Sequence, residues 1–364
     1  MICYVMGYAI TMLFCWVSND IKKRRCKIFF QFLSCIPFIL IAGLRGKSVG
    51  IDTNLNYIPM YNIAVNYGES IDFFNFFSVK YTFGFTAIMY FFSRFFVYPN
   101  ILFTFCSIII IGFTFYAIYR ESKIPWLSIT IFFLSGDFVL TMNGMRGFMG
   151  IAIVLYSIKY IKSRDWRKFI FLIFLAGIIH SATFGFILLY PIYMIRLKKL
   201  HIVGCLLGVP FLLLFGRDML SILLKNTSFI NYFDASSVMV NPLYTMLVIN
   251  IIVFGLFYLN YENHKDDREY NFYLKIQLLS VIVCIMSFVL PHSFRLEQFV
   301  DYFQIITIPF NLFLLKGKRC MKAMDKRCLM LLTIAMFAVY FVKVFVMVDD
   351  NQIKNYVTFF EDGY

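Results

Sequence analysis

The sequence predicts an all-α, polytopic integral membrane protein, and three observations carry that reading. Apolar runs of about 16–20 residues recur from one end of the chain to the other, the length a spanning helix needs. Of the 364 residues 61% are hydrophobic and 15% charged, against about a quarter charged in a soluble domain. The strict alternation of strands is absent, and a backbone in lipid must satisfy its own N–H and C=O groups, so helices follow rather than a barrel. We expect one membrane domain over residues 1–364, with about 11–13 transmembrane or re-entrant helices.

Taken in order, the apolar runs predict helices over 2–17, 28–43, 81–97, 101–119, 124–141, 146–161, 169–190, 200–216, 242–260, 272–291, 298–315 and 328–346. Two larger loops, 44–80 and 217–241, are expected outside the cytoplasm, with a tail from 347 onward. Met1–Trp16 is not a signal peptide, because its charges (Lys22–Arg25) follow the apolar run instead of preceding it. It reads as a first span with the N terminus outside.

The net charge of +14 is concentrated in "KKRRCK" (22–27), "KSRDWRK" (162–168), "RLKK" (196–199) and "KGKRCMKAMDKR" (316–327). Each sits between apolar runs, as the positive-inside bias requires. No basic stretch interleaves the aromatics of a stacking platform, so nucleic acid is excluded as a partner. The nine cysteines are scattered without a CxxC, which indicates neither zinc nor a disulfide framework. Twelve simple spans do not close with these charges. Either 81–97 and 169–195 are re-entrant or short paired segments, or one basic loop breaks the rule. On both readings the 44–80 loop and Arg295 face outward.

Arginine inside a membrane costs roughly 2.5–3.5 kcal/mol on insertion scales, so each one needs a reason. Arg45 closes the second apolar run, Arg146 lies in "TMNGMRGFMGIAI", and Arg295 in "LPHSFRLEQFVDYF". All three fall on the outer side, against the charge bias. Their planar forks suit a shared phosphate ligand. The structural alternative is that each snorkels or pairs with a neighbour, such as Arg295 with Glu297. His180, in "LAGIIHSATFGF", is the one histidine inside an apolar segment. It is a candidate base or, structurally, a neutral imidazole on a helix carbonyl. Asp52, in "VGIDTNLNY", could hold Arg45, cap a helix near Thr53 or contact a sugar hydroxyl. Tyr57 and Tyr61, four apart, share a helix face. The sequence has no DxD, Walker A, GxSxG or HExxH motif. That disfavours a nucleotide-sugar enzyme and an ATP-driven pump, and it leaves metal-free chemistry with arginines as the charge clamp.

Four blocks, "LRGKSVGIDTNLNY", "MNGMRGFMGIAI", "IIHSATFGFILLYP" and "FRLEQFVDYFQIITIP", occur in this order. On them the chain resembles the EpsG-like branch of the Wzy-type bacterial polysaccharide polymerases, which build O-antigen, capsule or exopolysaccharide. The family pattern falls on Arg45, Gly46, Val49, Gly50, Asp52, Thr53 and Tyr57, then Asn143, Gly144 and Arg146, then His180 and Ser181, then Arg295 and Tyr302. One departure is plain: the family's Glu-Pro-Gly-Phe is "KYTFGF" here, with Gly84 and Phe85 kept and the acid and proline missing.

The resemblance implies an inner-membrane, multi-pass glycosyltransferase of GT-C-like architecture, without metal or other cofactor. It would join repeat units carried on undecaprenyl diphosphate at the outer face, with inversion. A chain-length regulator and a flippase are implied partners. It assigns catalysis to Arg146, Arg295, His180 and Asp52, and substrate binding to Arg45, Gly50, Thr53, Tyr57, Asn143, Ser181 and Tyr302. Two rival readings stand beside it: a flippase for lipid-linked oligosaccharide, and a non-catalytic membrane component of a polysaccharide assembly system.

Overall fold

The structure is a computed structural model that describes residues 1–67, 82–196, 198–224, 243–288, 293–315 and 326–362. Within these residues the fold is all-α. The β-type pairing among them is an isolated antiparallel bridge between Arg45 and Thr358. Contacts divide the chain into two compact units, Met1–Ile187 with Arg327–Tyr364, and Leu188–Lys326. Among the described residues five helices are long and apolar enough to cross a membrane, six if one bent pair counts as a single span. Parts of the expected loops (68–80 and 225–241) and of the last basic cluster (316–325) lie outside the described residues, as do His292 and Tyr81.

In the first unit, α1 (Ile2–Asp20) lies along α2 (Arg24–Gly43), and Thr11 Oγ1 donates to the Ser34 carbonyl at 3.0 Å. The central helix is α5 (Asn100–Glu121), which packs on both α2 and α8 (Met145–Lys162). Its hydroxyls turn back onto their own helix, Ser107 to Phe103 O and Thr114 to Ile110 O, both at 2.7 Å. That satisfies them inside an apolar layer. Phe38 of α2 fixes the packing, stacked at 4.0 Å on Phe138 and edge-on at 5.9 Å to Phe115. Glu121 binds Lys162 at 2.6 Å and Arg120 at 3.3 Å, so the basic ends of α5 and α8 coincide. Then α9 (Trp166–Ile179) packs back along α8; it starts at Asp165, whose carboxylate accepts the Lys168 N–H at 3.2 Å.

Several expected elements are broken or extended, each for a local reason. The stretch from 44 to 67 is not a loop throughout. It holds a π turn, Thr53–Tyr57, that runs into α3 (Ile58–Tyr67). The helix expected over 124–141 is a pair, α6 (Pro125–Leu134) and α7 (Asp137–Asn143), bent by 52° at Ser135 and Gly136. The helix expected over 169–190 stops at Ile179, because His180 takes an extended backbone (φ −147°, ψ 110°); a 3-10 stretch, Ser181–Leu188, follows. The segment expected over 81–97 is α4 (Phe83–Phe95). It lies beside α3 and runs the same way: Phe85 meets the Tyr57 ring at one end, and Arg94 donates to Ala64 and Val65 carbonyls at the other. Helices as short as α4 and α9 reach only about 20 Å, less than the ~30 Å hydrocarbon core.

The chain returns to the first unit through α17 (Lys326–Phe341), continued by a π turn, Val342–Val348. The tail after it clasps the residues that follow α2. Gly46 N–H donates to Val357 O at 2.8 Å, Phe359 N–H to Leu44 O at 3.0 Å, and Gly50 N–H to Gln352 O at 3.1 Å. The Met1 ammonium reaches Lys354 O at 2.8 Å. The N terminus, the loop after α2 and the tail, three segments expected on the outer side, therefore share one end of this unit.

The second unit comprises α10 (Leu189–Met194), α11 (Lys199–Leu224), α12 (Tyr244–Leu259), the single turn α13 (Tyr261–His264), α14 (Arg268–Met286), α15 (Ser293–Asp301) and α16 (Gln304–Leu314). Thus α11 extends past the expected end at 216 into the expected loop. The helix expected over 298–315 is interrupted at Tyr302 and Phe303. At the centre is α14, packed against α12 and α15. It starts where Asp267 accepts the N–H groups of Glu269 and Tyr270 at 2.8 and 3.3 Å, capping otherwise orphaned donors.

Candidate functional site

The site is built around the end of α2. Arg45 leaves the helix and turns its guanidinium inward, where the residue is 1% exposed. Its Nη1 donates to the Ala42 carbonyl, its Nη2 to Met142 O at 3.1 Å, and its Nε to Thr53 Oγ1 at 3.3 Å. The Phe103 ring lies 4.3 Å away, on the cation's face. A buried guanidinium is tolerable when carbonyls, a hydroxyl and a ring replace its water. Arg45 thus joins three elements: the end of α2, the π turn and the end of α7. Met142 O also accepts from Thr53 Oγ1 at 3.3 Å.

Gly50 makes this turn possible. Its φ of +90° is the left-handed region that side chains avoid, and a Cβ there would stand 3.2 Å from Thr53 Oγ1. The turn delivers the Asp52 N–H to Asn143 Oδ1 at 2.8 Å. Asn143 in turn donates from Nδ2 to Asn351 Oδ1 of the tail at 2.8 Å. The Asp52 carboxylate accepts from Asn56 Nδ2 at 2.8 Å. Of the three roles open to Asp52, holding Arg45 is therefore taken by Thr53 and the backbone, and the side chain does not cap the following turn.

Arg146 sits half-buried in the first turn of α8, two residues after Gly144. Its backbone N–H donates to Tyr57 Oη at 3.4 Å, a long bond that nonetheless places Tyr57 beside it. This is the N-terminal, positive end of an 18-residue helix, where a guanidinium and the helix field act in the same sense on an anion. His180 approaches the same helix from α9. Its backbone N–H closes α9 on Ala176 O at 2.8 Å, and its carbonyl accepts from Thr183 Oγ1 at 2.7 Å. Thr183 lies against Gly150, one turn beyond Arg146. A Cβ on Gly150 would come within 2.8 Å of Thr183 Cγ2, so only glycine lets the His180 turn settle this close. Ser181 beside it is exposed.

The first unit therefore assembles Arg45, Gly50, Asp52, Thr53, Tyr57, Asn143 and Arg146, with the His180 turn packed on the same helix. Arg295 and Tyr302 belong to the second unit. Arg295 is exposed on α15 with its guanidinium 5.7 Å from the Phe294 ring, and Tyr302 is fully buried at the end of α15. No described carboxylate pairs with Arg295, so the expected alternative of an ion pair with Glu297 does not form. The helix places residues two apart on different faces.

Sequence reading missed Asn56, Asn351 and the tail clasp. Asp362 belongs to that clasp: its Oδ2 accepts the Ser48 N–H at 2.8 Å and the Ser48 hydroxyl at 2.6 Å. These bonds, the hydroxyl's first, hold its carboxyl below the usual carboxylate range. The one available signal was the turn-forming "DDNQ" at 349–352. Around Arg146 the neighbouring polar groups are amide, hydroxyl and backbone N–H, with Asp52 the carboxylate nearby among the described residues. That set suits an anion better than a metal cation.

Compared with known proteins, residues 27–358 match a family model described as the EpsG family. No curated protein and no solved structure matches the chain.

Proposed function

Because the chain belongs to the EpsG family, whose model covers nearly all of it, we propose that it is a membrane glycosyltransferase of the polysaccharide-polymerase type. Its donor and acceptor are oligosaccharide repeat units carried on undecaprenyl diphosphate, handled at the outer face of the bacterial inner membrane. The observation that carries this reading is the meeting of the first two family blocks. The Arg45–Thr53 turn and Asn143 lock together and set Arg146 at a positive helix end.

The chemistry follows from charge. The acceptor hydroxyl oxygen bonds to the donor's anomeric carbon as the bond to the lipid diphosphate oxygen breaks. The electron pair leaves with the diphosphate, and the proton passes to a base. In the first unit Arg146 is the candidate that supplies positive charge to departing oxygens, and in the second unit Arg295 is; such charge is worth most where water is excluded. Arginines in this role need no metal. His180 or Asp52 takes the proton. Tyr57 and Asn143 hold the frame around Arg146, and Arg45 braces it from beneath. Attack from the face opposite the diphosphate inverts the anomeric centre.

The experiment is a knockout complemented with alanine variants. Arg146→Ala or Arg295→Ala, each accumulating to wild-type level, should abolish long-chain surface polysaccharide while single repeat units persist on the lipid. Normal chain-length ladders from both variants would refute the assignment.

A further inference from the structure

The transfer chemistry leaves unused a polar cluster inside the second unit. Glu297 and Asp301, one turn apart on the same face of α15, are 3% and 7% exposed, and the two carboxyls interact electrostatically. Asn250 of α12 donates from Nδ2 to Asp301 Oδ2 at 2.9 Å. Gln277 of α14 donates from Nε2 to Asn250 Oδ1 at 3.1 Å, and Gln304 of α16 donates to the same oxygen. Ser280 of α14 donates to the Ile276 carbonyl at 3.3 Å, and its hydroxyl is among the groups that act on Asp301. The groups that act on Asp301 are thus Glu297, Asn250 and Ser280, none of them a cation.

Two further atoms sharpen the picture. Asp301 Oδ1 and Gln277 Oε1 are enclosed and have no hydrogen-bond partner among the described residues. The cluster is short of donors, and a proton on a carboxyl converts one acceptor into a donor. Two carboxylates one helical turn apart in a water-poor interior repel, and a single proton held between them relieves that repulsion. From the neighbouring helices the ionisable group presented to the pair is the Cys284 thiol of α14. The faces of α12 and α16 offer amides. Lys275 of α14 is committed to the Ile192 and Ile195 carbonyls, and Tyr273 packs edge-on against Phe310 at 4.8 Å.

Arg295 rides on the same short helix as this pair, on its exposed side. We propose that Glu297 and Asp301 share one proton at neutral pH, and that this proton-sharing dyad is a positioning device that holds α15 and so aims Arg295 at the anionic substrate. The second half rests on the reading of Arg295 as a diphosphate contact. When the shared proton leaves at alkaline pH, the carboxylates push apart, α15 shifts, and Arg295 loses its aim. Glu297→Gln carries a permanent N–H donor and the same net charge as the singly protonated pair, so it mimics the held state. Glu297→Ala and Asp301→Ala cannot.

The test has two readouts on the full-length protein in lipid nanodiscs. Infrared spectroscopy at neutral pH should show the carbonyl band of a buried protonated carboxylic acid, shifted in D2O and lost in Glu297→Gln. Absence of that band in folded wild-type protein overturns the dyad, whether or not any variant folds. Elongation of lipid-linked repeat units should fall on the alkaline side for wild type. It should stay flat for Glu297→Gln, and be reduced at least about tenfold at all pH values for Asp301→Ala. Band loss in Glu297→Gln with an unchanged alkaline fall would overturn the positioning role. Failure of wild type to elongate at all would refute the polymerase reading and with it the aiming of Arg295, while the infrared band still decides the proton.

Discussion

Arg45 and Arg295 are the same residue type, both expected at phosphate, and the molecule treats them in opposite ways. Arg45 is sealed in the first unit with its fork spread over Ala42, Met142 and Thr53 and its face on Phe103. Arg295 lies exposed on a nine-residue helix of the second unit, over the Phe294 ring. The lesson is that an arginine against the positive-inside bias has two uses. One organises a loop by saturating buried backbone carbonyls; the other, exposed at the surface, is the one proposed to meet a ligand. Arg146, half-buried at a helix start, stands between the two.

The comparison is broken most sharply by substituting Arg45. Arg45→Ala orphans buried carbonyls at roughly 1–3 kcal/mol each. We expect loss of folded protein, seen as a collapsed monodisperse peak and thermal midpoint in detergent. Arg45→Lys should fare little better, since an ammonium cannot bridge three elements as a planar fork does. A well-folded, inactive Arg45→Ala would instead make Arg45 a ligand contact. Next comes Arg295→Ala, which should keep the melting temperature and lose about 10²-fold or more in elongation rate, the scale for removing a charge-stabilising donor.

These contrasts show what was legible in the sequence. The all-α membrane class, and the positions of most helices, follow from apolar runs alone. The first two ordered blocks meet in the structure, where the Arg45–Thr53 turn bonds to Met142 and Asn143 just ahead of Arg146. Burial was not legible: nothing in "GLRGKSVGIDTNLNY" says that Arg45 points inward. Nor were the breaks at His180 and Gly136, where one backbone angle ends an apolar run that hydropathy reads as continuous. The tail clasp joins Ser48 to Asp362 across 314 positions, beyond any local pattern. Glu297 was within reach, since a residue two positions from Arg295 on a helix faces away from it.

A third substitution probes the approach of the His180 turn. Gly150→Val must displace Thr183, at about 1–3 kcal/mol for overpacking. Elongation should fall more than stability if His180 serves Arg146's helix, whereas equal losses would leave the turn purely structural. The smallest effect concerns the clasp. Asp362 has a depressed carboxyl pKa, so its contribution is present above the unfolded value of about 3.9 and fades as pH falls through the folded one. The protection factor of the Ser48 amide, its exchange rate corrected for the intrinsic rate at each pH, should therefore fall in acid, and Asp362→Asn should show the lower protection already at neutral pH.

The central claim is that this chain itself lengthens a lipid-linked glycan and that Arg146 serves the step. The most direct measurement uses purified protein in liposomes with undecaprenyl-diphosphate-linked repeat units and no other protein, with products resolved by length. The account predicts a ladder of multiples from wild type, and single units only from folded Arg146→Ala. Single units alone from active-state wild type, or an undiminished ladder from Arg146→Ala, would contradict it.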